Sequence, residues 1–269
     1  MSDRREISSL TELSYWEQIW HAAELPRLFD PSDKSMRNRG NVAFHELFSD
    51  VVKRLPRAGG SLVEIGCAQS KWLPYFNKMH GLSVTGVDYS PFGCARARHL
   101  MQVAGCDGEV VEADMFNPPA ALKGRFDAVL SMGLVEHFPR TSDAVAACAV
   151  FVRSGGLVVT TIPNLSGLLG FVQRTLDRSV YDKHVPLTRE ALRQAHEDCG
   201  LTVLRSEYMT PANFAIVNHP RIESRVANRI ARSALLTATG ALWGLDRFVV
   251  RVPRSRFLSS YAVCVARKS

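Results

Sequence analysis

The stretch Val63-Glu64-Ile65-Gly66-Cys67-Ala68-Gln69-Ser70 decides the fold. An apolar run, Ser61 to Ile65, ends in small residues and passes into a helix-like stretch, Ser70 to Met79. Such a turn lets backbone amides approach a ligand at the carboxyl end of the strand, because no side chain occupies the space. A dinucleotide fingerprint asks for three glycines, at 66, 68 and 71. The residues there are Gly66, Ala68 and Lys71. The turn therefore points to a ligand-binding strand–helix crossover, while Lys71 disfavours a nicotinamide-dependent oxidoreductase.

Outward from this turn the elements alternate. Strands are predicted over Leu82 to Val87, Glu109 to Ala113, Phe126 to Ser131 and Gly156 to Ile162, the last opened by Gly155-Gly156. Helices fall between them at Phe92 to Val103 and Ala144 to Val152. The strands are continuously apolar, as expected when helices cover both faces of a parallel sheet. Upstream, Leu13, Trp16 and Trp20 share one face of a short helix, and Asn41 to Leu55 reads as a longer one, ended by Pro56. Downstream come a helix over Thr188 to Cys199, capped by Thr188 and stopped by Gly200, and strands at Leu201 to Tyr208 and Tyr261 to Ala266. The organisation expected is one domain. Residues 1–40 form an N-terminal lid, 41–211 and 257–269 the core, and 212–256 a basic amphipathic helical insertion.

Composition agrees with a folded α/β chain. The 269 residues are 46% hydrophobic and 22% charged, which excludes collagen-like, low-complexity and disordered classes. Six cysteines form no C-x-x-C pair and no zinc-type spacing, so no metal set is read and a reducing, cytoplasmic setting is expected. The first residues show no signal peptide, and no uncharged run reaches the length of a membrane span. The net charge of +7 is local: Arg221 to Arg256 holds eight arginines against Glu223 and Asp246.

Further chemistry sits at the strand ends. Asp88 closes the second strand, 22 residues after Gly66, where a carboxylate can accept bonds from ribose hydroxyls. Asp114 follows the third strand and can accept from an exocyclic amine, with Met115 or Phe116 against a flat base. The fourth strand leaves through Met132-Gly133 to Glu136-His137. Together these residues resemble the class I S-adenosylmethionine-dependent methyltransferases of small molecules. The resemblance implies a Rossmann-like, doubly wound seven-stranded sheet with its last strand antiparallel. It also implies S-adenosyl-L-methionine as cofactor and S-adenosyl-L-homocysteine as product. In that family Glu64, Gly66, Cys67 and Ala68 match the loop around the methionine part, although Ala68 and Ser70 replace two glycines. Asp88, with Tyr89 beside it, matches the ribose acid. Asp114, Met115 and Phe116 match the adenine contacts, and Met132 and Gly133 lie under the methyl-bearing sulfur.

The acceptor is a small molecule in this reading, methylated most readily at oxygen. A base is needed when the acceptor must lose a proton, and histidine suits neutral pH. His137, assisted by Glu136, is the first candidate for base or acceptor contact; the same Glu-His pair looks like that of ubiquinone-type O-methyltransferases. His184 is the second, in a loop that also carries Tyr181. Tyr15, Trp16 and Trp20 form a candidate lid, with docking on the sheet flank as its alternative. His45, His99 and His196 fall inside helices and read as structural. For the insertion, Arg221, Arg225, Arg229 and Arg232 share one helical face beside Ile222, Val226 and Ile230. That pattern suits a peripheral membrane contact, a cap over a lipid-like or anionic acceptor, or a solvated helix. Nucleic acid is disfavoured: Asn117-Pro118-Pro119-Ala120 follows the wrong strand and lacks the aromatic of amino-methylating enzymes. Two rivals remain at this point: nitrogen or carbon methylation of a prenyl or quinone-like lipid, and a non-catalytic cofactor-binding partner subunit. Oligomeric state is not legible.

Overall fold

The computed structural model describes residues 9–36, 38–217 and 225–269. Seven strands form one sheet in the order β3-β2-β1-β4-β5-β7-β6. They are β1 (Ser61–Ile65), β2 (Ser83–Asp88), β3 (Gly108–Glu112), β4 (Phe126–Met132), β5 (Val152–Pro163), β6 (Thr202–Pro211) and β7 (Ser259–Arg267). β1 through β5 pair in parallel, and β7 runs antiparallel to both β5 and β6. This is the expected doubly wound sheet with its last strand reversed. Strand order changes direction between β1 and β4, which puts a ligand crevice at their carboxyl ends.

Nine helices are described: α1 (Leu13–Ala22), α2 (Arg39–Lys53), α3 (Trp72–His80), α4 (Pro91–Val103), α5 (Thr141–Val150), α6 (Leu168–Leu176), α7 (Arg178–Tyr181), α8 (Arg189–Glu197) and α9 (Arg225–Phe248). One face of the sheet packs on α2, α3 and α4 through Phe48, Phe76 and Ala97; the other packs on α5 and α8 through Val145 and Leu192. Burial on both faces explains why β1 reads as apolar throughout (Leu62 faces one layer, Val63 the other). At the amino end of β1, buried Asp127 accepts from the Ser61 amide at 2.7 Å and pairs with Arg57 and Arg153.

Three expectations shift. β5 opens at Val152 rather than at the Gly155-Gly156 pair, with an irregular register beside β4 between Phe126 and Ala128. α5 begins at Thr141, three residues early, where the threonine hydroxyl donates to the Phe138 carbonyl. In the insertion, Arg225–Phe248 runs as one helix through both the basic and the apolar stretch. α9 docks through its carboxyl half. The Trp243 indole donates to the Ala212 carbonyl at 3.1 Å, and buried Asp246 pairs with Arg39 and Arg254. Arg221 and Ile222 lie outside the described residues, as do the side chains of Arg225 and Val226. Thr188 and Gly200 act as expected: the threonine accepts from the Ala191 amide, and Gly200 takes φ +74°.

Candidate active site

A cavity of about 560 Å³ opens at the carboxyl ends of β1, β2 and β4. From the expected set it is lined by Glu64, Gly66, Ala68, Asp88, Tyr89, Asp114, Met115, Phe116, Met132 and His137, with Trp16 and Trp20 from α1. Its size suits a nucleoside-sized ligand. Gly66 turns with φ +75°, a conformation that side chains rarely adopt, and its amide donates to the Val87 carbonyl.

The carboxylates here are distinct. Asp88 is buried; Oδ2 accepts from the Ala68 amide at 3.1 Å and Oδ1 from the Ser90 amide at 2.9 Å. Each oxygen keeps a further acceptor position. Burial pushes this carboxyl up to about 6, against the lowering effect of those amides. Capping of α4 falls to Ser90, which accepts from the Gly93 amide, so Asp88 is free of that task. Glu64 is buried with Oε2 unpartnered, and burial raises it to about 8. Asp114 is exposed, and its Oδ1 accepts from the Phe116 amide.

Several expected residues lie elsewhere. Cys67 is fully buried in the core beneath Gly86, because its side chain alternates away from the cavity. Gly133 lies behind the wall; its φ of +64° permits the bend, and its amide donates to the Thr161 carbonyl. Tyr15 stands edge-on to Trp16 outside the cavity wall, beneath the Lys183 ammonium. Tyr181 closes α7 and lines neither cavity described here. His184 lines a second cavity of about 190 Å³, with Leu165, Val180, Val217 and Tyr261.

The two histidines nonetheless meet, with ring centroids 4.4 Å apart between the two cavities. Trp16 stands edge-on to His137 at 5.0 Å, and the Leu10 amide donates to the His137 carbonyl. His137 Nδ1 lies 2.7 Å from the Lys183 carbonyl, and His184 Nδ1 2.7 Å from that of Val180. Carbonyls only accept, so both Nδ1 atoms carry protons and both Nε2 atoms keep their lone pairs. Burial, with His184 nearby, pushes His137 down to about 3; burial also lowers His184. Glu136 is buried and pushed up to about 8 by burial. His137 thus presents a neutral hydrogen-bond acceptor to the cavity. Sequence reasoning missed Thr11, Leu134 and Trp72 in the wall. Leu134, next to Gly133, was the most accessible of these. His45, His99 and His196 lie in helices, and His196 bonds Thr160 in the core.

A methyltransferase-domain family model matches residues 38–206, and the chain belongs to that family. With the reversed last strand and this cavity, it is a class I S-adenosylmethionine-dependent methyltransferase. Two relatives bear the name ubiquinone biosynthesis O-methyltransferase. The protein from Thiobacillus denitrificans is 29% identical over 185 residues, covering 60% of this chain and 78% of its own. That from Methylobacterium is 27% identical over 216 residues, 75% of this chain and 83% of its own. The fold is shared with a SAM-dependent methyltransferase from Archaeoglobus fulgidus (TM-score 0.54, 18% identity, 86% of this chain and 94% of that one). It is also shared with a geranyl diphosphate C-methyltransferase from Streptomyces coelicolor (TM-score 0.56, 15% identity, 90% and 86%). The residues present fit the cofactor: small residues at the turn, an unpartnered acid at Glu64 and spare acceptor positions on Asp88. S-adenosyl-L-methionine, when bound, supplies an activated methyl group.

Proposed function

We propose that this enzyme methylates a hydroxyl of a small, quinone-type aromatic molecule whose reacting oxygen sits beside His137. The observation that carries this is the position of His137. It lines the cofactor cavity, keeps an Nε2 lone pair, and borders the second cavity through His184. The names of the relatives support oxygen as the acceptor atom. Glu64 and Asp88 hold the amino-acid and ribose parts of the cofactor, and Asp114 and Met115 the adenine. Holding donor and acceptor in line supplies most of what methyl transfer needs. α1 serves as the lid: Trp20 packs against Gly93 of α4, and Trp16 closes over His137, which excludes water. The apolar second cavity takes the end of the acceptor remote from the reacting oxygen.

The test is transfer of isotopically labelled methyl to a panel of dihydroxylated aromatics and to matched amines. Labelled ether from wild type, lost with His137→Ala while S-adenosylhomocysteine still binds, supports the reading. Labelled amine with no ether refutes it.

A second reading, a lipid-like acceptor met at a membrane surface, is favoured by α9. No described helix is long and apolar enough to cross a membrane. Along α9, however, Ile230, Leu236 and Phe248 are exposed, Val249 and Val250 follow, and Arg229, Arg232, Arg247 and Arg251 flank them. Cosedimentation with anionic vesicles, compared for wild type and Phe248→Ser/Val249→Ser, tests it. Equal recovery of both proteins counts against membrane contact.

A further inference from the structure

Lys71, the residue that breaks the glycine spacing of the turn after β1, lines the cofactor cavity together with Glu64, Ser70 and Trp72. It is partly buried and stands immediately before α3, where its carbonyl accepts from the Tyr75 amide at 3.2 Å. Its head is held as well as its backbone. The ammonium donates to Asn41 Oδ1 at 2.6 Å and lies 5.1 Å from the centre of the Trp72 ring. Asn41 is itself oriented: its Nδ2 donates to Asn38 Oδ1 at 2.8 Å, and buried Asn38 donates to the Asp30 and Asp33 carbonyls. The same first turn of α2 is clamped by α9, through Arg39 on Asp246 and the Trp243 ring against Gly40.

An ammonium has three donors, and among the described residues this one meets a neutral oxygen and no carboxylate. Burial lowers its pKa, and no acid nearby offsets that. Glu64 shows the complementary half of the pattern. It is 2% exposed, lines the same cavity and has Oε2 unpartnered, and burial raises it to about 8. An acid and a base thus share one cavity without pairing. Each is costly to bury alone, and a ligand that carries an ammonium and a carboxylate on one carbon satisfies both.

We propose that Lys71 binds the α-carboxylate of the cofactor's methionine part, in an ion pair that Asn41 positions. That Glu64 takes the neighbouring ammonium rests on the function proposed above; the role of Lys71 rests on the cofactor alone. Lys71 is then a specificity residue, because a ligand with the same adenosine and no carboxylate leaves its ammonium unpaired. Anchoring the tail at both of its charges also fixes the sulfur between the tail and the ribose, as in-line transfer needs.

The test is calorimetric titration of the full chain with S-adenosylhomocysteine, with its decarboxylated analogue, which keeps the ammonium, and with methylthioadenosine, which lacks the whole amino-acid part. Wild type, Lys71→Met and Lys71→Gln are compared in the absence of acceptor. Wild type should prefer S-adenosylhomocysteine to the decarboxylated analogue by about 10- to 100-fold. In both variants that preference should collapse: S-adenosylhomocysteine weakens by the same factor, while the other two ligands stay within about threefold. Unchanged methylthioadenosine binding shows that the turn is intact. A lysine that only ties α3 to α2 would weaken all of these ligands alike, and that result overturns the proposal. So does a wild type with no preference for the carboxylate, or a preference kept in both variants. A wild type that binds none of the ligands would overturn it together with the cofactor assignment. Because no acceptor is present, each of these outcomes leaves the acceptor atom to its own test.

Discussion

The tips of β1 to β4 and the region after β5 divide the labour of this enzyme. In the first, each chemical group stands where a parallel strand ends. Glu64, Asp88 and Met132 are one to a strand, in a cavity whose floor is set by sheet register. In the second, the groups come from short helices and loops: Leu165 before α6, Val180 in α7, His184 in a loop and Val217 after a 3-10 turn. Regular strands hold a cofactor part common to many enzymes. Irregular segments line the second cavity, the proposed place of the acceptor, where enzymes of one fold differ. If this division is physical, substitutions in the first region act on cofactor affinity, and those in the second leave it untouched.

Asp88→Ala should have the largest effect. It removes the acceptor proposed for two ribose hydroxyls and strands the buried Ala68 and Ser90 amides. Bonds to a charged acceptor contribute about 1.5–3 kcal/mol each, so S-adenosylhomocysteine should bind at least about 100-fold more weakly. Calorimetric titration measures this; a loss of less than about tenfold would remove Asp88 from the ribose subsite.

The same carboxyl sets a pH dependence. Its value is about 6 in the folded protein against 3.8 for the ordinary group, so burial favours the protonated form. The unfavourable contribution to stability is absent below 3.8 and fully present above about 6. Cofactor binding through hydroxyl donors runs the other way, because it needs the carboxylate. The Asp88 share of the affinity should therefore be flat above pH 6 and fall by about tenfold per unit below it, apart from the change that Glu64, raised to about 8, sets at higher pH. In Asp88→Asn the step below pH 6 should vanish, while the one set by Glu64 stays.

In the second region, Val217→Phe places a ring in the smaller cavity. The acceptor KM should rise by about tenfold, while cofactor affinity stays within about twofold. Equal changes in both would mean that the two regions are coupled.

Legibility in the sequence follows the same division. All seven strands could be read in the sequence, the parallel ones from their apolar runs, and Asp88 and Asp114 from their places at strand ends, because a strand tip points wherever the sheet puts it. Cys67 was misplaced because alternation along an irregular turn is not visible in composition. The meeting of His137 with His184 was hidden for another reason. Forty-six residues separate them, and the loop is brought back by bonds that composition does not show, from the Val185 amide to the Glu136 carbonyl and from His137 Nδ1 to the Lys183 carbonyl. How the basic insertion docks was hidden by its charge: Trp243 and Asp246, which anchor its helix, read as incidental among eight arginines.

Two glycines give the smallest effects and the sharpest contrast, because their signs should differ. At Gly66 a methyl group would meet Leu134 at 3.5 Å, ordinary contact, so space is not limiting. The backbone is: φ +75° costs an L-residue about 1–2 kcal/mol, and Gly66→Ala should lower the unfolding free energy by that amount. At Gly240, inside α9, nothing lies within 4 Å of the added methyl and φ is helical. Gly240→Ala should raise stability by about 0.5–1 kcal/mol through helix propensity. Urea unfolding of both variants decides the matter. A stabilised Gly66→Ala would mean that the cofactor turn tolerates a conformation its geometry opposes. A Gly240→Ala variant with no gain would mean that this stretch of α9 frays independently of the core.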